Sequence, residues 1–164
     1  MVKNRRKYLK RILFFSLICW LIFAQSCMKF RISDGKATSA FLKKGIRASF
    51  VSFQVNGTNL HYVKTGADNL PTLYFIHGSP GSWDAFKEYM SDSVLLSNFR
   101  LISIDRPGFG FSNFGTAYHL QEQSDLIFNI VKKETNNKPI HLIGHSIGGP
   151  VIIKIAQDHP AAIA

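Results

Sequence analysis

Ile140-His141-Leu142-Ile143-Gly144-His145-Ser146-Ile147-Gly148-Gly149-Pro150-Val151-Ile152-Ile153 places a short apolar run, a G-x-S-x-G pentapeptide and an apolar segment in direct succession. The order predicts a strand, a sharp turn and a helix, with Ser146 at the corner as a candidate nucleophile. Gly144 and Gly148 matter in such an elbow because a Cβ at either position would collide with neighbouring backbone. Pro150 is tolerated in a first helical turn, and Val151, Ile152, Ile153, Ile155 and Ala156 then read as a buried helix.

Two earlier apolar runs, Leu73 to Ile76 and Leu101 to Ile104, resemble Ile140 to Ile143. Each is too short for a helix and lacks strict alternation, as suits strands buried on both faces of a parallel sheet. Before them Val51, Phe53 and Val55 alternate with Ser52 and Gln54. Asn56-Gly57 then supplies a positive-φ pair, and Leu60 and Tyr62 resume the alternation, predicting an antiparallel hairpin. Trp83, Phe86 and Met90 repeat at i, i+3, i+7, and Leu120, Ile127, Phe128 and Val131 form a second helical stripe. The result is an α/β chain, hairpin then β-α-β-α-β-α, whose chemistry is expected beyond the carboxyl ends of its parallel strands. Three motifs fall there: His77-Gly78-Ser79-Pro80-Gly81, Asp105-Arg106-Pro107-Gly108-Phe109-Gly110-Phe111-Ser112, and the Ser146 elbow.

Charge divides the chain. Residues 1–47 carry twelve Lys or Arg against one acid, Asp34, whereas residues 48–164 carry eight bases against nine acids. The basic excess belongs to the N-terminus, and the near-neutral remainder argues against a nucleic-acid partner. Lys3, Arg5, Arg6, Lys7, Lys10 and Arg11 precede an apolar stretch from Ile12 to Ala24 broken by Ser16. That stretch is shorter than the roughly 20 apolar residues that span a bilayer and suits a signal peptide. Ala24-Gln25-Ser26-Cys27 resembles a bacterial lipobox. The resemblance implies a signal peptide over 1–26, lipidation of Cys27, and an exported, membrane-anchored protein on the periplasmic or extracellular face. An uncleaved N-terminal anchor is the alternative. Residues 27–47, basic and without a clear period, are expected to form a tether ahead of a domain over 48–164; their cations could also touch anionic lipid.

The three motifs, in their order and spacing, resemble the α/β-hydrolase superfamily from Phe50 onward. The resemblance implies an incomplete α/β-hydrolase fold, an N-terminal β-hairpin followed by parallel strands alternating with helices, with the C-terminal strands and the cap missing. It also implies acyl chemistry on an ester or amide without a cofactor. Ser146 Oγ would attack the carbonyl, and backbone N–H groups of Ser79 and Ile147 would hold the oxyanion. Pro80 has no N–H to offer, while Gly78 and Gly81 let the loop approach closely. His77 is expected to brace its loop, Asp105 to frame the site floor as a structural residue, and His145 to act as a pocket or packing residue. The superfamily's acid and histidine come after later strands, so no base is expected within residues 1–164. Proline iminopeptidases carry glycine where Ser79 stands, which leaves peptidase specificity unsupported. Serine at 146 disfavours the haloalkane dehalogenase and epoxide hydrolase branches, which use aspartate there.

No H-E-x-x-H, no Cys pair in the folded part and no G-x-x-x-x-G-K-[ST] occur, so no metal or phosphate site is expected. Two alternatives to a serine hydrolase stand beside it: a membrane-tethered binding domain without turnover, and a non-functional fragment. An unpaired Ile140 to Ile143 strand would expose an apolar edge, so residues 28–164 by themselves are expected to be insoluble or inactive toward p-nitrophenyl esters.

Overall fold

The computed structural model describes residues 2–27 and 31–164, with side chains left out for 2–4, 6 and 24–27. The chain divides into two units after residue 30. The first holds helix α1, Val2–Cys27. No described helix is long and apolar enough to cross a membrane. The Cys27 side chain, on which the lipidation expectation falls, lies outside the described residues.

The second unit is a five-stranded sheet with helices on both faces. Strands β1 (Ser49–Val55) and β2 (Thr58–Thr65) form the predicted hairpin. Its turn has positive φ at both Asn56 (49°) and Gly57 (75°), the geometry that matches the right-handed twist of paired strands. Strands β3 (Thr72–Ile76), β4 (Arg100–Ile104) and β5 (Ile140–Gly144) are mutually parallel, and β2 joins them by antiparallel pairing with β4. The order is β1-β2-β4-β3-β5. From β3 the chain crosses to β4 on one side and returns to β5 on the other, so the topological switch lies at β3, the place at which open α/β sheets bind ligands beyond their strand ends.

Period-two alternation divides the strand side chains between two cores. Tyr74 and Ile76 of β3, with Ile102 and Ile104 of β4, pack against α4 (Leu120–Lys133) and α5 (Gly148–Asp158) through Ile127, Ile130, Val151 and Ile155. Leu73 and Phe75, with Val63 and Leu101, face the opposite layer of Trp83, Phe86, Met90, Ala37 and Phe41.

Three expectations are corrected here. The tether expected over 27–47 contains a helix, α2 (Asp34–Lys43), and the compact unit begins at Arg31. Ala37 and Phe41, one turn apart, are buried, and Phe41 stacks on Trp83 with ring centroids 6.1 Å apart. Burying one such aromatic contributes about 1.5–3 kcal/mol; the helix's four apolar residues, Ala37, Ala40, Phe41 and Leu42, three of them adjacent, show no clear helical period. The helix expected from Trp83, Phe86 and Met90 is instead two 3-10 turns, Trp83–Phe86 and Tyr89–Ser91, followed by short α3 (Ser93–Asn98). Trp83 N–H donates to Asp105 Oδ1 at 2.6 Å, and Asp92 starts α3 by accepting from Val94 and Leu95 N–H, each at 2.9 Å. These caps break the run into pieces while keeping its three large side chains inward. Lastly, α5 is buried on one face only: Val151 and Ile155 are inside, while Ile153 is 68% exposed. Beside it β5, like β1 at the other side, is an edge strand of the sheet among the described residues, and Ile143 is also exposed.

Candidate functional site

The elbow is built as the local sequence dictates. β5 ends at Gly144, His145 N–H extends the parallel ladder to Ile76 O at 3.0 Å, and Ser146 takes φ 53° before α5 begins. A left-handed residue that is not glycine costs roughly 1–2 kcal/mol, so the surroundings must hold it. They do so by close approach. A Cβ on Gly144 would overlap Gly148 O, and one on Gly148 would overlap Ile76 O, so the turn closes with glycine at both positions. Gly148 and Gly149 N–H return to His145 O and Ser146 O at 2.9 and 2.8 Å.

The loop after β3 passes directly against this corner. A Cβ on Gly78 would lie 2.9 Å from Ser146 Cβ and 2.8 Å from His145 Nδ1, so Ser146 and His145 both line Gly78. Gly81 is packed beneath, where a Cβ would lie 3.1 Å from His77 Nδ1. Among the described residues the backbone N–H groups of Ser79 and Ile147 donate no hydrogen bond. Ile147 immediately precedes the N-terminus of α5, the positive end of its dipole. Ser146, His145 and Ile147 are exposed, and no described side chain hydrogen-bonds to Ser146 Oγ.

His77 and Asp105 lie beneath the loops. His77 is fully buried; its Nδ1–H donates to Gly78 O at 2.6 Å and its Nε2 accepts Arg106 N–H at 3.0 Å, which fixes the neutral tautomer. Burial pushes the ring down to about 4, and the Arg106 charge acts the same way. Asp105, also fully buried, accepts Trp83 N–H from the β3 loop and Phe111 N–H (2.9 Å) from its own loop, and pairs with His61 Nδ1 at 2.7 Å. With these partners it fastens three segments together, and both its oxygens are engaged. Arg106 was not singled out from the sequence, yet its guanidinium donates to Gly78 O (3.2 Å) and Gln123 (3.0 Å) and lies 4.4 Å over Phe109. Nothing in local spacing marks it, because its partners lie 17 and 28 residues away. No cluster of three His, Cys, Asp or Glu side chains among the described residues could hold a metal ion.

The arrangement supplies an exposed hydroxyl at a constrained corner, and among the described residues the N–H groups of Ile147, which follows it, and of Ser79, on the loop packed against it through Gly78, donate no hydrogen bond. The family model of the alpha/beta hydrolase fold matches residues 71–164. The chain belongs to the alpha/beta hydrolase family. It is 29% identical over 119 residues to AB hydrolase superfamily protein YfhM of Bacillus subtilis, covering 71% of this chain and 40% of that protein. To epoxide hydrolase 4 of Mus musculus it is 24% identical over 174 residues, covering 94% and 48%. The solved structure of a membrane phospholipase A, a bacterial virulence factor, matches with TM-score 0.65 and 25% identity over 94% of this chain and 49% of that one. This alpha/beta hydrolase chain thus spans about half the length of those relatives or less.

Proposed function

We propose that this hydrolase acts on an ester or amide through a Ser146 acyl-enzyme. The observation that carries the reading is Ser146 at φ 53°, pressed against Gly78 with the Ser79 and Ile147 N–H groups unpaired. Ser146 Oγ adds to the acyl carbonyl, the two N–H groups take the negative charge that develops on its oxygen, and the bond to the leaving group breaks as that alcohol or amine departs with the proton the hydroxyl gave up, leaving the acyl-enzyme. Water then releases the acid. Serine in place of aspartate at the elbow favours this route over epoxide opening, and the likeness to a membrane phospholipase A favours a lipid ester as substrate. His77, Gly78, Gly81, Asp105, Gly144, His145 and Gly148 shape the site, and Asp105 acts through structure. No described residue supplies the base. A binding domain without turnover is the alternative reading.

The test is labelling of the longest folded form the gene encodes with an active-site-directed fluorophosphonate. Label on Ser146 that vanishes in Ser146→Ala supports the enzyme; a folded protein that takes no label moves the assignment to the binding domain. We further propose export with Cys27 lipidated after removal of residues 1–26. Incorporation of radiolabelled palmitate that Cys27→Ser abolishes supports this, whereas an intact N-terminus in membranes supports the uncleaved anchor.

A further inference from the structure

The chain enters the folded unit at the end of the sheet that carries Ser146. Arg31 donates from Nη1 to Gly110 O and sets its guanidinium 4.0 Å over the Phe111 ring. Ile32 N–H donates to Asp84 Oδ2 at 3.1 Å, and Asp34 Oδ2 lies 3.6 Å from Nε2 of His61, the ring paired with Asp105. Gly110 and Phe111 belong to the loop after β4 and Asp84 to the 3-10 turn after the β3 loop, so Arg31 and Ile32 are fastened beyond the carboxyl ends of both strands. From there α2 runs toward the other end. Lys44 Nζ, just past it, reaches Glu88 Oε2 at 3.0 Å and Ser91 Oγ at 2.8 Å, on the segment that leads through α3 to the amino end of β4.

The loop that receives Arg31 also frames the Ser146 corner. Phe109, next to Gly110, packs edge-on against His77 with ring centroids 5.6 Å apart, and Arg106 donates at 3.2 Å to the carbonyl of Gly78, the glycine against Ser146. Further along the loop Phe114 and Tyr118 meet edge to face at 5.5 Å and stand 50% and 71% exposed. Exposure does not separate the two ends, because Val94 of α3, near the amino end, is 68% exposed. The length of chain ahead of Arg31 does. Four residue steps lead from Cys27 to Arg31, a reach of at most about 14 Å, whereas a compact unit the size of residues 31–164 is roughly 35 Å across. A lipid on Cys27 and an uncleaved anchor over residues 12–24 both leave residue 27 at or near the bilayer surface. A unit held there by so short a chain can tilt, but it cannot turn its amino end to the lipid. The end it presents carries a Phe and a Tyr, and aromatic rings with a polar edge settle at headgroup level.

We propose that the short chain between Cys27 and Arg31 holds the carboxyl end of the sheet on the bilayer in which the N-terminus is anchored, with the loop over residues 106–118 at headgroup level and Phe114 and Tyr118 as its contacts. This orientation rests on the proposed anchoring and does not depend on an acyl-enzyme. The Ser146 corner then lies on the membrane side of the unit, where a ligand arrives from the lipid and not from bulk water.

The test places the longest folded form the gene encodes, purified from membranes, in vesicles of phosphatidylethanolamine and phosphatidylglycerol. The vesicles also carry a phosphatidylcholine with a diazirine near its glycerol ester, and photoadducts are mapped by mass spectrometry. Adducts are expected in residues 106–118 and not in residues 93–98. A Gly-Ser insert of about twenty residues after Lys29 adds roughly 25 Å of flexible reach and should bring the two segments to comparable yields. Unchanged protease resistance of residues 31–164 and retention through a carbonate wash report that the unit is still folded and anchored. Ser146→Ala should leave the pattern unchanged, so failure here is distinct from failure of the hydrolase reading. Protein released by the carbonate wash overturns the anchoring and this orientation with it. Protein retained without adducts in residues 106–118, or with an equal yield in residues 93–98, overturns the orientation alone. Adducts that keep their preference in the insert variant overturn the short chain as its cause.

Discussion

The two ends of the parallel strands treat polar groups in opposite ways. At the amino ends of β3 and β4, Arg100 donates from Nε to Thr72 Oγ1 at 3.0 Å and from Nη2 to the Glu134 carbonyl, and lies 3.6 Å from the Glu134 carboxylate. That carboxylate also takes the Tyr62 hydroxyl at 2.5 Å and Lys64 at 3.0 Å. Burial by itself would raise the Glu134 carboxyl, but hydrogen bonds from Tyr62 and Lys64 and the nearby Arg100 charge leave it below its ordinary range. At the carboxyl ends, Ser146 stands exposed in a costly backbone conformation, and among the described residues the Ser79 and Ile147 N–H groups donate to no partner. The Arg100–Glu134 groups satisfy one another, and His77 and Asp105 are satisfied under the loops, whereas the groups at the Ser146 corner are left open in a constrained backbone.

If that contrast is right, the largest loss of stability comes from the amino end. Arg100→Ala strips Glu134 of a buried partner and should cost about 3–5 kcal/mol, read from the urea midpoint of the full chain by pulse proteolysis. A loss below 1 kcal/mol would erase the distinction between the two ends. Next in size is an acid effect routed through His77. Its folded value of about 4 lies below the unfolded value of 6.5, so the unfolded chain binds the proton first. Stability is therefore level above pH 6.5 and falls by up to about 3 kcal/mol as pH drops toward 4. His77→Gln should flatten that part of the profile, and an unchanged slope would assign it elsewhere.

Gly78→Ala should cost about 1–3 kcal/mol, because its Cβ meets Ser146 and His145. Fluorophosphonate reactivity of the longest folded form should fall with it; full reactivity would mean the loop yields without disturbing the elbow. The smallest effect is at the corner itself. Ser146→Gly should leave stability unchanged or raise it by about 1 kcal/mol, since glycine carries no penalty at positive φ and the hydroxyl holds nothing in place. A clear loss there would show that Ser146 serves the fold.

Much of this architecture is legible without coordinates because it is written in local pattern. The Asn56-Gly57 turn, the short apolar runs of β3, β4 and β5, the stripe of α4 and the Gly144-to-Gly148 elbow each depend on residues within a few positions of one another. Backbone sterics and side-chain periodicity act over that range, and so does the strand-turn-helix order that put Ser146 forward. Trp83 to Met90 was misread because the 3-10 turns present the same i, i+3 spacing as a helix over so short a span, and the difference lies in the Trp83 N–H given to Asp105.

The tertiary structure decided what local pattern does not encode. It set the strand order, with β3 between β4 and β5, and thereby brought Gly78 against Ser146. It chose His61 as partner for Asp105 across 44 residues, Arg106 for Gly78 O across 28, and Arg100 for the Glu134 carbonyl across 34. It also docked α2 on Trp83. Side chains of the same type compete for such pairings along the whole chain, and only the packed sheet, by fixing which elements meet, selects among them.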